Sequence, residues 1–304
     1  MKIVLRESEG LGNQLFQYAA LRYYAKRYGA EIEIAVDPNA TCNGYPRPFQ
    51  LQHFSIQAPM EERTLWGRFL CTDKPWLKAV SDPFRKVFRI QVCNEQIQDR
   101  FCFLRDLPLQ PTVKTLYLWG YFQTYLMVEA VAEELRLDLR FGQAASGKNL
   151  EVLKQIRSSK HPVSLHVRRG DSVLPAEGKV VLPMEYYSDA ISLFKQRLAG
   201  PTFFVFSDDL PFVKENLPRD PKVVFVGHND TFTAHEDLRL MSACQHHIIA
   251  NSTFSWWGAW LNPRPDKMVI APRNWYVDKD SYNINLCPPD WMLAGIETAE
   301  KHFA

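Results

Sequence analysis

Two adjacent arginines, Arg168 and Arg169, stand in the segment His166-Val167-Arg168-Arg169-Gly170-Asp171. Just before them Val163, Leu165 and Val167 alternate with Ser164, His166 and Arg168. A period of two places His166 and Arg168 on one face of a strand and Arg169 on the other. Gly170 then breaks the strand and lets the backbone turn close to a ligand. Guanidinium groups at the end of an otherwise apolar strand are costly unless anions pair with them. The planar fork of arginine matches two phosphate oxygens. The chemistry this spacing suggests is diphosphate binding, with Arg168 as the ligand. For Arg169 an ion pair inside the protein, with Asp171, is an equally good account.

Three further stretches carry polar chemistry at predicted element ends. Gly10-Leu11-Gly12-Asn13-Gln14 lies between a β-rich run and a helical pattern. Backbone N–H groups and the helix dipole favour negative charge there. Leu15 stands where the dinucleotide fingerprint needs its third glycine, and the Gly-Lys-Ser/Thr of a P-loop is absent. Asp37 ends the second strand as a nicotinamide-binding protein would require, but Leu15 makes an oxidoreductase the poorer account. A plain tight turn is the alternative for this loop. Ser252, Thr253 and Ser255 open the helical pattern in Asn251-Ser252-Thr253-Phe254-Ser255-Trp256-Trp257-Gly258. Their hydroxyls either cap the helix or donate to a phosphate, and the tryptophans read as core. Ser207-Asp208-Asp209 follows another strand. A carboxylate there accepts from guanine N–H groups or a ribose hydroxyl, and one of the two aspartates is a candidate helix N-cap. The pair is too small an oxygen set for a divalent cation. His246 and His247 point to opposite strand faces and form no joint metal site.

The elements that must position these residues follow from periodicity. Ile3 to Arg6 reads as a strand, residues 11–28 as a helix stopped by Gly29, and Glu31 to Val36 as a second strand, a βαβ opening. Between 40 and 115 prolines at 46, 48, 59, 75, 83, 108 and 111 break the pattern. Short helices and loops, not a regular sheet, are expected there. Leu116 to Phe122 reads as a strand and Tyr125 to Leu135 as a helix. Gly142-Gln143-Ala144-Ala145-Ser146-Gly147 is the best linker. Beyond it, strands at 162–168, 202–207, 222–226, 246–250 and 267–271 alternate with helices at 185–198, 210–217, 234–244 and 253–261. This implies a parallel sheet with helices on both faces, which binds ligands at the carboxyl ends of its strands.

Composition sets the outer limits. A chain of 304 residues suits two domains. With 36 Lys plus Arg against 34 Asp plus Glu, it lacks the basic excess of a nucleic-acid-binding protein. The apolar run at the start is too short for a signal peptide, and no later run is long enough to span a bilayer. The six cysteines are scattered, without a Cys-x-x-Cys pair, and read as reduced thiols. The expectation is a cytoplasmic protein whose contact with the inner membrane is at most peripheral.

Taken in order, five segments resemble the α-1,2-fucosyltransferase family, glycosyltransferase family 11, in its bacterial type. They are Gly10 through Ala19, Gly120-Tyr121-Phe122-Gln123, His166 through Asp171, Phe206 through Asp209, and Asn251 through Leu261. The resemblance implies a GT-B-like α/β fold, two Rossmann-like domains facing across a cleft. An N-terminal acceptor-side domain would cover 1–145 and a C-terminal GDP-fucose-binding domain 146–304, its last helix free to cross back. It also implies inverting transfer of L-fucose from GDP-β-L-fucose to the 2-hydroxyl of a terminal galactose, on an oligosaccharide or glycolipid precursor. No metal and no cofactor are expected. Another linkage or another GDP-sugar is the alternative. On this resemblance Arg168 contacts the donor phosphates, and His166, Ser207, Asp208, Ser252, Thr253 and Ser255 hold GDP. The loop of Gly10, Gly12, Asn13 and Gln14 completes the binding set, with Asn13 reaching fucose or the acceptor. Asp171 and Glu177 are the candidate proton acceptors. One departure is Glu9, where the family usually has glycine.

Overall fold

The computed structural model describes residues 1–42, 44–70, 72, 74–95, 105–169, 182–217, 222–275 and 285–295. It divides the chain into two compact units, Met1–Gly142 and Gln143–Ala304. Unit 1 opens with β1 (Lys2–Arg6), α1 (Leu11–Tyr28) and β2 (Glu31–Val36), the βαβ opening read from the sequence. α1 is buried along most of its surface and stops at Gly29, whose φ of 59° is the left-handed turn glycine takes without penalty. A short antiparallel pair follows, β3 (Thr41–Cys42) and β4 (Tyr45–Pro46). Next come β5 (Met60–Glu62), α2 (Leu65–Leu70), α3 (Pro75–Phe88), β6 (Ile90–Asn94) and β7 (Thr115–Trp119). The unit ends with α4 (Tyr125–Ala130) and α5 (Ala132–Asp138). The sheet order is β5-β2-β1-β7-β6, parallel throughout.

Two expectations for this unit need correction. Residues 40–115 contribute strands to the sheet after all, β5 and β6. Both are edge strands and largely unburied; β5 is only Met60-Glu61-Glu62, and the alternation of Ile90, Gln91 and Val92 in β6 stands alone between a helix and a proline-broken stretch. The prolines also mislead. Pro75 opens α3 in its first turn, where its missing N–H is not needed, and Pro83 is carried inside the helix. The helix expected over 125–135 is two helices, parted at Val131 with φ −129° and ψ 27°.

Unit 2 contains α6 (Gly147–Ser158), β8 (Pro162–Val167), α7 (Met184–Arg197), β9 (Thr202–Ser207), α8 (Leu210–Asn216) and β10 (Val223–Val226). Then come α9 (Ala234–Ala243), β11 (His246–Ile248), α10 (Thr253–Leu261), β12 (Val269–Pro272) and β13 (Met292–Ala294). The sheet order β10-β9-β8-β11-β12-β13 is that of a dinucleotide-binding fold, with β9 and β10 laid outward on one side of β8 and β11, β12 and β13 on the other. All neighbours are parallel. The short sixth strand β13 was not legible in the sequence. Val163, Leu165, Val167, Phe203 and Val205 pack with Tyr186, Tyr187 and Phe194 of α7 in one apolar cluster. On α10, Trp256, Trp257 and Trp260 are buried and stack among themselves, and Trp256 Nε1 donates to the Leu286 carbonyl at 2.8 Å.

His247 is fully buried, and burial holds its imidazole well below the usual range. Asn262 Nδ2 donates to its Nε2 at 2.9 Å, which leaves Nδ1–H to donate to Ser164 Oγ at 2.8 Å. His246 Nδ1 accepts from the Met268 N–H. Both histidines are structural, as their opposite faces predict. Cys93, Cys244 and Cys287 are free thiols. Among the described residues no helix is long and apolar enough to cross a membrane.

Candidate active site

In unit 2 the chain leaves β8 for β9 on one side and later returns to β11 on the other. The ends of β8 and β11 therefore flank a topological switch point, where open parallel sheets bind ligands. Arg168 follows the last residue of β8. Its Nη1 lies 2.9 Å from Asp208 Oδ2, with the two side chains 27% and 23% exposed, so the guanidinium is aimed by a carboxylate yet open to solvent. Asp208 Oδ1 accepts the Arg169 backbone N–H at 2.9 Å. Arg169 turns away. Its Nε meets Asp209 Oδ2 at 3.2 Å and its guanidinium lies over the Phe212 ring, 3.2 Å from the centroid. Arg169 is thus scaffold, as one sequence reading held, with Asp209 as its ion-pair partner. Asp209 also caps α8 by accepting from the Phe212 N–H, and Ser207 Oγ accepts the Asp209 N–H at 3.0 Å.

α10 begins beside this pair. Ser252 is its N-cap residue, but its side chain makes no capping bond and the first turn holds no acidic residue. No side-chain cap and no acidic residue of its own first turn meets the positive end of this helix dipole, in contrast to α8 with its aspartate. His166 joins the two elements, its ring 5.7 Å from that of Phe254. Burial pulls the His166 imidazole down to about 4, against an opposing pull from Asp208 and with a smaller push from Arg168. It is neutral near pH 7, and its buried Nδ1 has no hydrogen-bond partner. Ser255 is buried, and its hydroxyl donates to the Ala250 and Ser252 carbonyls, so it shapes the helix start from inside. His166, Arg168, Ser207, Asp208, Ser252 and Thr253 are brought to one sheet edge. Asp171 and Glu177 lie outside the described residues.

Unit 1 has its own switch point, between β1 and β7. Gly10 is the N-cap residue of α1, again without a side-chain cap or an acidic first turn. Gly12 and Gln14 are buried there, whereas Asn13 is only partly so. Asn13 Oδ1 accepts from Gln123 Nε2 at 2.9 Å, which ties the first motif to Gly120-Tyr121-Phe122-Gln123 at the end of β7. The sequence reading quoted Gln123 in a motif without giving it a role. Glu95 shapes that second loop by accepting from the Tyr121 and Phe122 N–H groups at 2.6 and 2.7 Å. A Cβ at Gly120 would collide with the Glu95 side chain, which explains the glycine. Gln14 serves the loop from behind. Its amide donates to the Glu9 and Pro48 carbonyls and accepts the Gln50 N–H. Glu9 has φ 72°, the left-handed region, which accounts for the preference for glycine at that position. Glu7, just after β1, is buried. Burial raises its carboxyl to about 7, although it accepts the Asp37 N–H and lies near Arg63. Sequence reading missed Glu7 and Glu95, since lone glutamates carry no periodic signal.

Residues 3–293 match the model of Glycosyl transferase family 11. The chain belongs to this family. The transferase is 29% identical to the O-antigen biosynthesis glycosyltransferase WbnK of Escherichia coli, over 92% of this chain and 96% of that one. It is 28% identical to an alpha-1,2-colitosyltransferase of Escherichia coli, over 95% and 98%. It is also 27% identical to galactoside alpha-(1,2)-fucosyltransferase 1 of Bos taurus, over 82% of this chain and 63% of the bovine one. Among solved structures, NodZ alpha-1,6-fucosyltransferase soaked with GDP-fucose superposes with a TM-score of 0.55 at 15% identity, covering 92% of the transferase and 96% of NodZ. Escherichia coli ADP-heptose lps heptosyltransferase II gives 0.51 at 12%, covering 98% and 92%. The fold is GT-B-like, built from two parallel-sheet α/β units. Among the described residues no group of three His, Cys, Asp or Glu side chains could hold a metal ion.

Proposed function

We propose that the transferase moves L-fucose from GDP-β-L-fucose to the 2-hydroxyl of a terminal galactose, with inversion at the sugar. The observation that carries this reading is Arg168, aimed by Asp208 beside the uncapped start of α10 at the unit 2 switch point. As the fucose–phosphate bond breaks, the sugar gains cationic character and the β-phosphate gains negative charge. Arg168, the α10 backbone N–H groups and the Ser252 hydroxyl stabilise that leaving charge. A single such preorganised donor contributes roughly 3–4 kcal/mol. They take the part a divalent cation plays in other sugar transferases, so the reaction runs without metal. His166, neutral and buried, orients the donor by hydrogen bonding. Asn13, held by Gln123, meets the fucose or the acceptor. Asp171 and Glu177 are the carboxylates offered as acceptor of the hydroxyl proton.

The acceptor is an oligosaccharide or glycolipid precursor that ends in galactose. A second reading, transfer of colitose, is favoured by the similarity to the colitosyltransferase over nearly the whole of both chains. Another linkage of fucose is the further alternative. A donor panel crossed with an acceptor panel, with the linkage read from the product by NMR, tests these readings together. An α-1,2-fucosylated galactoside from GDP-fucose is expected. Turnover with a colitose donor alone, or a product of another linkage, would replace the reading. Excess chelator should leave the rate unchanged, and a loss restored by magnesium or manganese would contradict the metal-free step.

A further inference from the structure

α3 is attached to unit 1 by its least apolar side. Ser81 is buried, and Leu77 and Arg85 are partly so. Arg85 donates to the Leu70 carbonyl and pairs with Asp82 at 3.0 Å. The adjoining side carries Trp76, Val80, Phe84, Val87 and Phe88, which are 66, 52, 42, 75 and 54% exposed, Phe84 resting edge-on against Phe69 of α2 with ring centroids 6.0 Å apart. Their spacing sets them along one stripe of the helix. Leu65 of α2 is also exposed, at 84%. A surface helix ordinarily turns such residues inward, and a contiguous exposed set marks a contact surface.

Charge identifies the contact. From Glu61 to Arg89 seven basic residues stand against four acidic ones, and three of the seven are ion-paired, Arg63 and Arg68 with Asp37 and Arg85 with Asp82. Lys74, Lys78, Lys86 and Arg89 are exposed on or beside α3. The helix protrudes, for Ser81 alone is fully buried among its described side chains. A stripe of tryptophan, phenylalanine and valine on a helix whose other side carries lysines has the composition of a helix lying in a bilayer interface. Partner proteins that recognise a helix face need a groove to receive it, whereas a bilayer deforms around one.

We propose that the α3 stripe docks the transferase on an anionic lipid surface, the helix lying in the headgroup plane with Trp76, Val80 and Val87 in the acyl boundary and the lysines on phosphates. The inference is independent of which sugar is transferred. Cosedimentation of the full chain with phosphatidylcholine vesicles, and with vesicles that also contain phosphatidylglycerol, tests it. Binding to the anionic vesicles is expected, weakened by salt, with little binding to the neutral ones. The double variant Trp76→Ser/Val87→Ser and the double variant Lys78→Glu/Lys86→Glu should each weaken binding roughly tenfold or more. All four positions are exposed, so both variants should keep the cooperative melt of the parent. No binding to anionic vesicles would overturn the proposal, as would undiminished binding by Trp76→Ser/Val87→Ser. A dimer in solution that Trp76→Ser/Val87→Ser dissolves would reassign the stripe to a second copy of the chain.

Discussion

The two units present the same feature twice and furnish it differently. Each has a parallel sheet with a switch point, and at each a helix starts without a side-chain cap or an acidic first turn. In unit 2 a guanidinium stands beside that start, held by Asp208. In unit 1 the corresponding place holds two neutral amides, Asn13 and Gln123, bonded to each other, with the Arg47 side chain near Gly10, its Cδ 3.9 Å from where a Cβ there would lie. Topology alone offers partial positive charge at both. On the proposed function the side chains decide what it receives, the donor diphosphate beside Arg168 and a sugar beside Asn13. The arginine pair also divides its labour. Arg168 pairs with Asp208 and Arg169 with Asp209 and the Phe212 ring, the two side chains being 27% and 28% exposed.

The largest expected effect breaks the contrast outright. Arg168→Ala should lower transfer by about 100- to 1,000-fold and weaken GDP binding, with the thermal melt still cooperative. Near-parental turnover would remove the phosphate role. Next in size is Glu7, the buried carboxyl of unit 1. Its folded-state value is raised from 4.5 to about 7, so the folded form holds its proton more tightly than the unfolded form. Stability should therefore fall as pH rises from about 4.5 to about 7, by roughly 3 kcal/mol, and level off above. Melting curves across that range would show the slope, and Glu7→Gln should abolish it. Asn13→Ala should cost between about three- and tenfold in transfer, the worth of one hydrogen bond, without changing affinity for GDP. Smallest is Glu9→Gly. Releasing a side chain from φ 72° should stabilise the protein by about 0.5–1 kcal/mol in urea denaturation, and a loss of stability would mean that the Glu9 side chain makes contacts worth more than the strain.

Unit 2 was largely readable because its strands are buried on both sides. Continuous apolar runs such as Phe203 to Phe206 leave little ambiguity, and strand ends then locate the ligand side. The Asp208–Arg168 contact was not readable, since it depends on β9 lying next to β8. For the same reason Asp208, read as a ligand for guanine or ribose, is found aiming the arginine, and Ser255 and Gln14, named as binding residues, are found with their polar atoms turned to backbone. Unit 1 was harder. β5 and β6 are unburied edges in a proline-rich stretch, and three residues of β5 or one alternating triplet in β6 do not distinguish them from loops. The αL backbone at Glu9 was visible only as a missing glycine.

The account stands on the separation of the two switch points, one for the diphosphate and one for the sugars. Titration calorimetry of GDP against the parent, Arg168→Ala and Asn13→Ala measures that separation directly. The account predicts affinity lost in Arg168→Ala and retained in Asn13→Ala. Equal losses in both, or none in Arg168→Ala, would contradict it.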